Sequence, residues 1–131
     1  MSRTDRIGFA VGQYGVSVMA DVQDILCQKC GLDFTGREVE RKGNPTSHFN
    51  EHSNGKWTPR VLFIDLDWEA INPIQNGHLK NLFDPSWTFA HGNTSACNNF
   101  ARGYYGKEGE IISKKALFAC PKSKKMQGNA M

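Results

Sequence analysis

The chain has no apolar run approaching the roughly 20 residues that span a bilayer, and no apolar core follows its opening Met1-Ser2-Arg3-Thr4-Asp5-Arg6. The sequence therefore predicts no membrane partner and no secretory leader, and a cytoplasmic protein is expected. Asn93-Thr94-Ser95 becomes an empty glycosylation match, since that modification requires secretion. Strong charge of either sign is also missing. The formal net charge is +3, and part of the basic excess falls late in the chain, at Lys114, Lys115, Lys122, Lys124 and Lys125. A nucleic-acid surface gathers basic residues on one folded face, so no nucleic-acid partner is expected. Neither a G-x-x-x-x-G-K-[ST] phosphate loop nor a full G-x-G-x-x-G pattern occurs, and no single local motif establishes nucleotide binding. In a reducing compartment the four cysteines are expected to be free thiols and not a disulfide framework.

What remains is a globular composition, with 39% hydrophobic and 22% charged residues in 131, enough for one domain. Arg6 to Val11 has the length and apolar content of a strand and ends at Gly12-Gln13-Tyr14-Gly15. From Val16 the apolar positions Val16, Met19, Val22, Ile25, Leu26 and Cys30 recur at helical spacing, and Gly31 is placed to close the helix. Leu32 to Pro59 is rich in breakers and reads as a long excursion, with room for a short helix or hairpin. Val61-Leu62-Phe63-Ile64-Asp65 is the clearest strand, continuously apolar as in a parallel sheet covered on both sides. Glu69 to Asn76 predicts a short helix interrupted at Pro73, and Trp87-Thr88-Phe89-Ala90 a third strand. Gly92 to Tyr104 reads as a loop feeding a helix, and Ile111, Ile112, Ala116 and Leu117 fit a further helix. From Pro121 the composition predicts disorder.

Strands followed by polar loops predict an α/β fold with a mostly parallel, Rossmann-like sheet, whose ligands lie outside the carboxyl ends of the strands. Three loops converge there. Gly12 and Gly15 let the backbone approach phosphates, Asp65 or Asp67 can hold a hydrated magnesium ion, and Ser95 to Asn99 supply amides. Each also has a plain structural use, as a turn, a strand end or a helix start.

Val11-Gly12-Gln13-Tyr14-Gly15-Val16, Pro59-Arg60-Val61-Leu62-Phe63-Ile64-Asp65-Leu66-Asp67 and Ala96-Cys97-Asn98-Asn99-Phe100-Ala101-Arg102-Gly103-Tyr104, with Glu110-Ile111-Ile112, resemble the opening segments of the tubulin family in order and spacing. Val16, Ala96-Cys97, Ala101-Arg102-Gly103 and Ile111-Ile112 are closer to the alpha branch than to beta. The resemblance implies the amino-terminal half of a tubulin-type GTP-binding domain over residues 1–112, followed by an unrelated basic tail over 113–131. It implies GTP and Mg2+ as ligands, beta-tubulin and the microtubule lattice as partners, and a cytoskeletal location. By position it implies nucleotide contacts from Gly12, Gln13, Tyr14, Gly15, Asp65, Ser95, Ala96, Cys97 and Asn98. Asp67 stands at the metal, where the family has glutamate. Lys42 falls close to the lysine that alpha chains carry in acetylated form.

The departures from the family pattern are specific. Tyr14 occupies a place usually held by Ala or Cys, Trp68 replaces a proline, and Ser95 stands where alpha chains are acidic. The glycine-rich G-G-G-T-G-x-G phosphate signature does not occur, nor does the part of the family that carries the residue promoting hydrolysis. No catalytic residue is therefore expected in this chain, and its GTP affinity in isolation is expected to be negligible. Two alternatives stand beside this reading. One is a degenerate truncated fragment without activity. The other is a zinc-binding module, with Cys27 and Cys30 spaced C-x2-C and His48 and His52 spaced H-x3-H.

Overall fold

The computed structural model describes residues 5–92 and 95–119; the tail from Pro121 onward lies outside them. A strand β1 (Gly8–Val11) leads directly into a long helix α1 (Gly12–Cys30). Within the excursion, β2 (Phe49–Glu51) and β3 (Trp57–Pro59) form an antiparallel hairpin, the one the breaker-rich stretch has room for. Next come β4 (Val61–Ile64), α2 (Trp68–Asn76), the two-residue β5 (Thr88–Phe89), α3 (Phe100–Tyr105) and α4 (Lys107–Ala119). The main sheet has the order β1-β4-β5 and is parallel throughout, with Gly8 level with Val61, Val11 with Ile64, and Phe63 with Thr88. The expected α/β architecture with a parallel sheet is present.

The register divides the sheet into two faces, because successive strand residues point to opposite sides. Ala10, Val61 and Phe63 face a core built from Val16, Cys27, Ile71 and Ile74 of α1 and α2, closed by Leu79, Leu82 and Phe83. Leu62 faces the other way and is fully buried. The covering element there is α4, which meets β4 and β5 and buries Ile112 and Ala116. Phe9 and Val11 share that second face but lie at the sheet edge, 52% and 64% exposed.

Three local expectations are corrected. The glycine stretch Gly12 to Gly15 is the first turn of α1, not a loop before it; Gly12, at φ +78°, changes the chain direction at once, so strand and helix need no linker. The side of α1 that faces inward also differs from the expected one. The buried stripe is Val16, Gln23, Cys27 and Cys30, while Val22 and Ile25 are turned outward. Pro73 does not interrupt α2. It forfeits one backbone hydrogen bond, toward the Glu69 carbonyl, and the fully buried Ile71 and nearly buried Ile74 hold the turn against the core.

Gly31 closes α1 as expected, at φ +70° with its N–H toward the Gln28 carbonyl at 3.3 Å, and Leu32 donates to Cys27 at 2.9 Å. The excursion is tied down by Arg60, whose nearly buried guanidinium donates to Asn50 Oδ1 at 2.7 Å and to the carbonyls of Thr46, Ser47 and Phe49, and pairs with Asp5. One side chain thus joins the chain start, the 3-10 turn at Pro45–Ser47 and the hairpin to the first residue before β4.

Candidate functional site

The carboxyl ends of β1 and β4 open into a cleft of about 880 Å3. One wall is the start of α1, where Val11, Gly12 and Gln13 line the space. Val11 is extended (φ −117°, ψ 130°), offers no side-chain cap, and no acidic residue follows in the first turn. The first N–H groups of a 19-residue helix are thus left to an outside acceptor, at the positive end of the helix dipole. The starts of α2 and α3 behave differently. Asp67 Oδ1 accepts from the Glu69 N–H at 3.0 Å, and Asn99 Oδ1 from the Arg102 N–H at 3.3 Å.

Beside the α1 wall, at the end of the neighbouring strand β4, Asp65, Asp67 and Glu69 also line the cleft. Asp65 Oδ1 accepts the Asp67 N–H at 3.0 Å, and Asp67 repeats the arrangement with Glu69. Each aspartate therefore commits one oxygen to the backbone and keeps another. Magnesium takes one or two carboxylates and completes its shell with phosphate oxygens and water, so this donor set fits it. Among the described residues, no three His, Cys, Asp or Glu side chains gather as a metal cage.

The third wall comes from the segment before and within α3: Ser95, Ala96, Asn98, Asn99, Phe100 and Tyr104. Ser95 Oγ accepts the Cys97 N–H at 3.1 Å, while Cys97 and Asn98 are both left-handed, at φ 51° and 59°. Two such residues in succession turn the chain sharply, which carries Asn98 into the cleft wall. Residues 93 and 94 of the anticipated loop lie outside the described residues.

Of the residues singled out from sequence, Gly12, Gln13, Asp65, Asp67, Ser95, Ala96 and Asn98 line one cleft. Tyr14, Gly15 and Cys97 do not; Tyr14 stands 83% exposed on the first turn of α1. Sequence reasoning missed Glu69 and the pair Phe100 and Tyr104, whose rings stack at 5.6 Å and 13° beside the cleft. The two-residue spacing Asp65-Asp67-Glu69 and the i, i+4 spacing of the rings were the available signals.

The zinc constellation is not assembled. Cys27 and Cys30 are buried in α1, and His52 Nε2 lies 2.8 Å from Thr58 Oγ1 across the hairpin. Lys42 pairs with Glu40 at 2.8 Å.

Residues 7–116 match the family described as "Tubulin/FtsZ family, GTPase domain". The chain belongs to this family. Among its curated relatives are the tubulin beta chain of Saccharomyces cerevisiae, 34% identical over 110 residues, and the nucleomorph tubulin alpha chain of Guillardia theta, 35% identical over 108. These cover 81% and 78% of this chain and 24% of each relative. A tubulin alpha chain of Colletotrichum orbiculare is 37% identical over 106 residues, covering 75% of this chain and 23% of its own length. The chain thus spans about a quarter of the length of the tubulins it matches. Both branches are represented at similar identity, so family membership is shown and the branch is not. Nothing in the described core supports the alternative of a degenerate fragment. No helix among the described residues is long and apolar enough to cross a membrane.

Proposed function

We propose that this chain carries the first half of a tubulin-type GTP site and serves as an alpha-tubulin-like constituent of the cytoskeleton. The observation that carries the reading is the uncapped start of α1, which lines the same cleft as Asp65 and Asp67. Free N–H groups and a positive dipole end suit phosphate oxygens, and a carboxylate wall suits the magnesium that accompanies them. Gln13 would border the phosphates, Asn98 would approach them from the third wall, and Asp67 would keep one oxygen for the metal. Val16, Ala96-Cys97, Ala101-Arg102-Gly103 and Ile111-Ile112 favour the alpha branch. Beta-tubulin and the microtubule lattice are the corresponding partners, in the cytoplasm.

The family's glycine-rich phosphate signature is not among these residues, so the half-site holds GTP weakly when alone. Titration with labelled GTP and magnesium is expected to give negligible binding in the low micromolar range. At millimolar nucleotide, NMR should show amide shifts confined to Gly12, Gln13 and Asn98. Shifts scattered elsewhere, or none, would sink the half-site reading. Cosedimentation at a fixed ratio with stabilised microtubules tests the cytoskeletal role, and a chain left wholly in the supernatant speaks against it.

A further inference from the structure

We propose that Asn54-Gly55, at the tip of the β2–β3 hairpin, modifies itself: the Asn54 carboxamide cyclises onto the Gly55 nitrogen, loses ammonia, and reopens as aspartate or isoaspartate. The fold itself sets up the pair. The His52 N–H closes the hairpin onto the Lys56 carbonyl at 2.8 Å, and the Gly55 N–H turns back to the His52 carbonyl at 3.0 Å. Gly55 follows at φ +79°, the left-handed bulge position of a short hairpin loop, where glycine is favoured. A turn that favours glycine there sets an unhindered nitrogen directly after Asn54. A Cβ at Gly55 would meet nothing within 4 Å, so the space beside that nitrogen is open. Both strands of the hairpin and the partners of its turn lie within this chain.

Asn54 Oδ1 accepts the Lys56 N–H at 3.0 Å. The ring of atoms so closed contains the Gly55 nitrogen, which keeps the carboxamide beside the group that attacks it, and the accepted N–H draws electron density from Cγ. Hydroxide removes the Gly55 amide proton, the nitrogen bonds to Cγ, and the Cγ–Nδ2 bond breaks as ammonia leaves with a proton from water. Water then opens the cyclic imide. Cleavage at Cγ gives aspartate; cleavage at the backbone carbonyl gives isoaspartate, whose main chain runs through Cβ and Cγ. The Gly55 N–H is engaged with His52, so attack waits for the turn to open, and an exposed tip carried by three residue pairs opens at little cost. Either product places one more negative charge beside Arg37, whose Nη1 donates to the Asn54 carbonyl at 3.3 Å. Isoaspartate also lengthens the main chain at the turn and disturbs the Glu51–Trp57 pairing.

The second Asn-Gly of the sequence, Asn76-Gly77, supplies the contrast. Asn76 is the last residue of α2, where Cβ leans toward the helix start and away from the following nitrogen. Its Nδ2 donates to Asn72 Oδ1, and the Pro73 carbonyl holds the Gly77 N–H at 2.9 Å. A Cβ on Gly77 would lie 2.2 Å from that same oxygen, so the space is closed.

Peptide mapping by mass spectrometry of the full chain, held at mildly alkaline pH, tests this. Each conversion adds about 1 Da. In the folded chain Asn54 should convert about tenfold faster than Asn76 or more, with both aspartate and isoaspartate formed. In denaturing guanidinium the two rates should come within about twofold of each other, because the folded surroundings that separate them are gone. Gly55→Ala crowds the attacking nitrogen and should slow conversion at Asn54 several-fold in guanidinium, where folding plays no part. A rate ratio no larger in the folded chain than in guanidinium, Asn54 silent while the denatured sample reacts, aspartate formed without isoaspartate, or a rate untouched by Gly55→Ala overturns the proposal.

Discussion

The Asp65 carboxylate accepts the backbone N–H of Asp67 at 3.0 Å, so the residue just after the central strand fixes the direction of the one that caps the next helix. Asp67 in turn holds the Glu69 N–H at 3.0 Å. Its cap and metal roles are separable. Asn is as good a helix cap as Asp and lacks the charge. Asp67→Asn is expected to leave the denaturation midpoint nearly unchanged while weakening magnesium-dependent nucleotide shifts. Asp67→Ala should cost about 1 kcal/mol of stability as well. Equal stability loss in both variants would mean that the charge, not the cap, holds α2.

Arg60 satisfies the carbonyls of Thr46, Ser47 and Phe49 together with Asn50 and Asp5. Arg60→Met keeps much of the stem but removes every donor, leaving the buried Phe49 carbonyl unmet at about 1–3 kcal/mol and the half-buried acceptors around it without their partner. Urea denaturation should register a loss of about 3 kcal/mol or more, and proteolysis should begin in the hairpin region. A loss under about 1 kcal/mol would show that water replaces the guanidinium.

Gly31 and Gly55 have similar positive φ angles, +70° and +79°, in different surroundings. A Cβ on Gly31 would lie 1.7 Å from the Glu40 carbonyl oxygen, whereas one on Gly55 meets nothing within 4 Å. Gly55→Ala should therefore cost only the left-handed strain, about 1 kcal/mol. Gly31→Ala should cost clearly more, because the chain after α1 must also move. Similar thermal shifts for the two would place the whole effect in the backbone angle.

Burial pushes the Cys27 thiol up to about 12 from an ordinary 9.0, with the nearby Asp24 charge adding to it; burial raises Cys30 as well. Cys97 is exposed. In a Cys120→Ser background at neutral pH, alkylation is expected at Cys97 alone until the chain unfolds, since the thiolate is the reactive form. The raised thiol gives a signed pH dependence. Its contribution to stability is full below the unfolded value near 9.0 and is lost as pH rises toward about 12. Alkaline destabilisation should be smaller in Cys27→Ala, measured relative to that variant's own neutral-pH stability. An unchanged slope would locate the alkaline transition elsewhere.

Much of the architecture is legible in local pattern. The apolar run Val61 to Ile64 declares itself a parallel strand because both its faces are buried, and Gly31 declares the end of α1 because only a left-handed residue fits there. The phase of α1 was not legible. Helical spacing fits Val22 and Ile25 as readily as Gln23 and Cys27, and what decides is which side of the helix the sheet and α2 cover.

The sequence by itself determined the family, through segments whose order and spacing match tubulins over residues 7–116, and with it the parallel α/β sheet. Only the tertiary structure decided which of the marked residues share a cleft. Gln13 and Asn98 are 85 positions apart by number and line one cleft, because parallel pairing sends the segments that follow the strands to the same end of the sheet. Tyr14 and Cys97, adjacent to them in sequence, fall outside the cleft lining. A helix turns each successive residue by about 100°, and a left-handed pair reverses the chain within two. Proximity in sequence therefore does not settle which side chains meet a ligand.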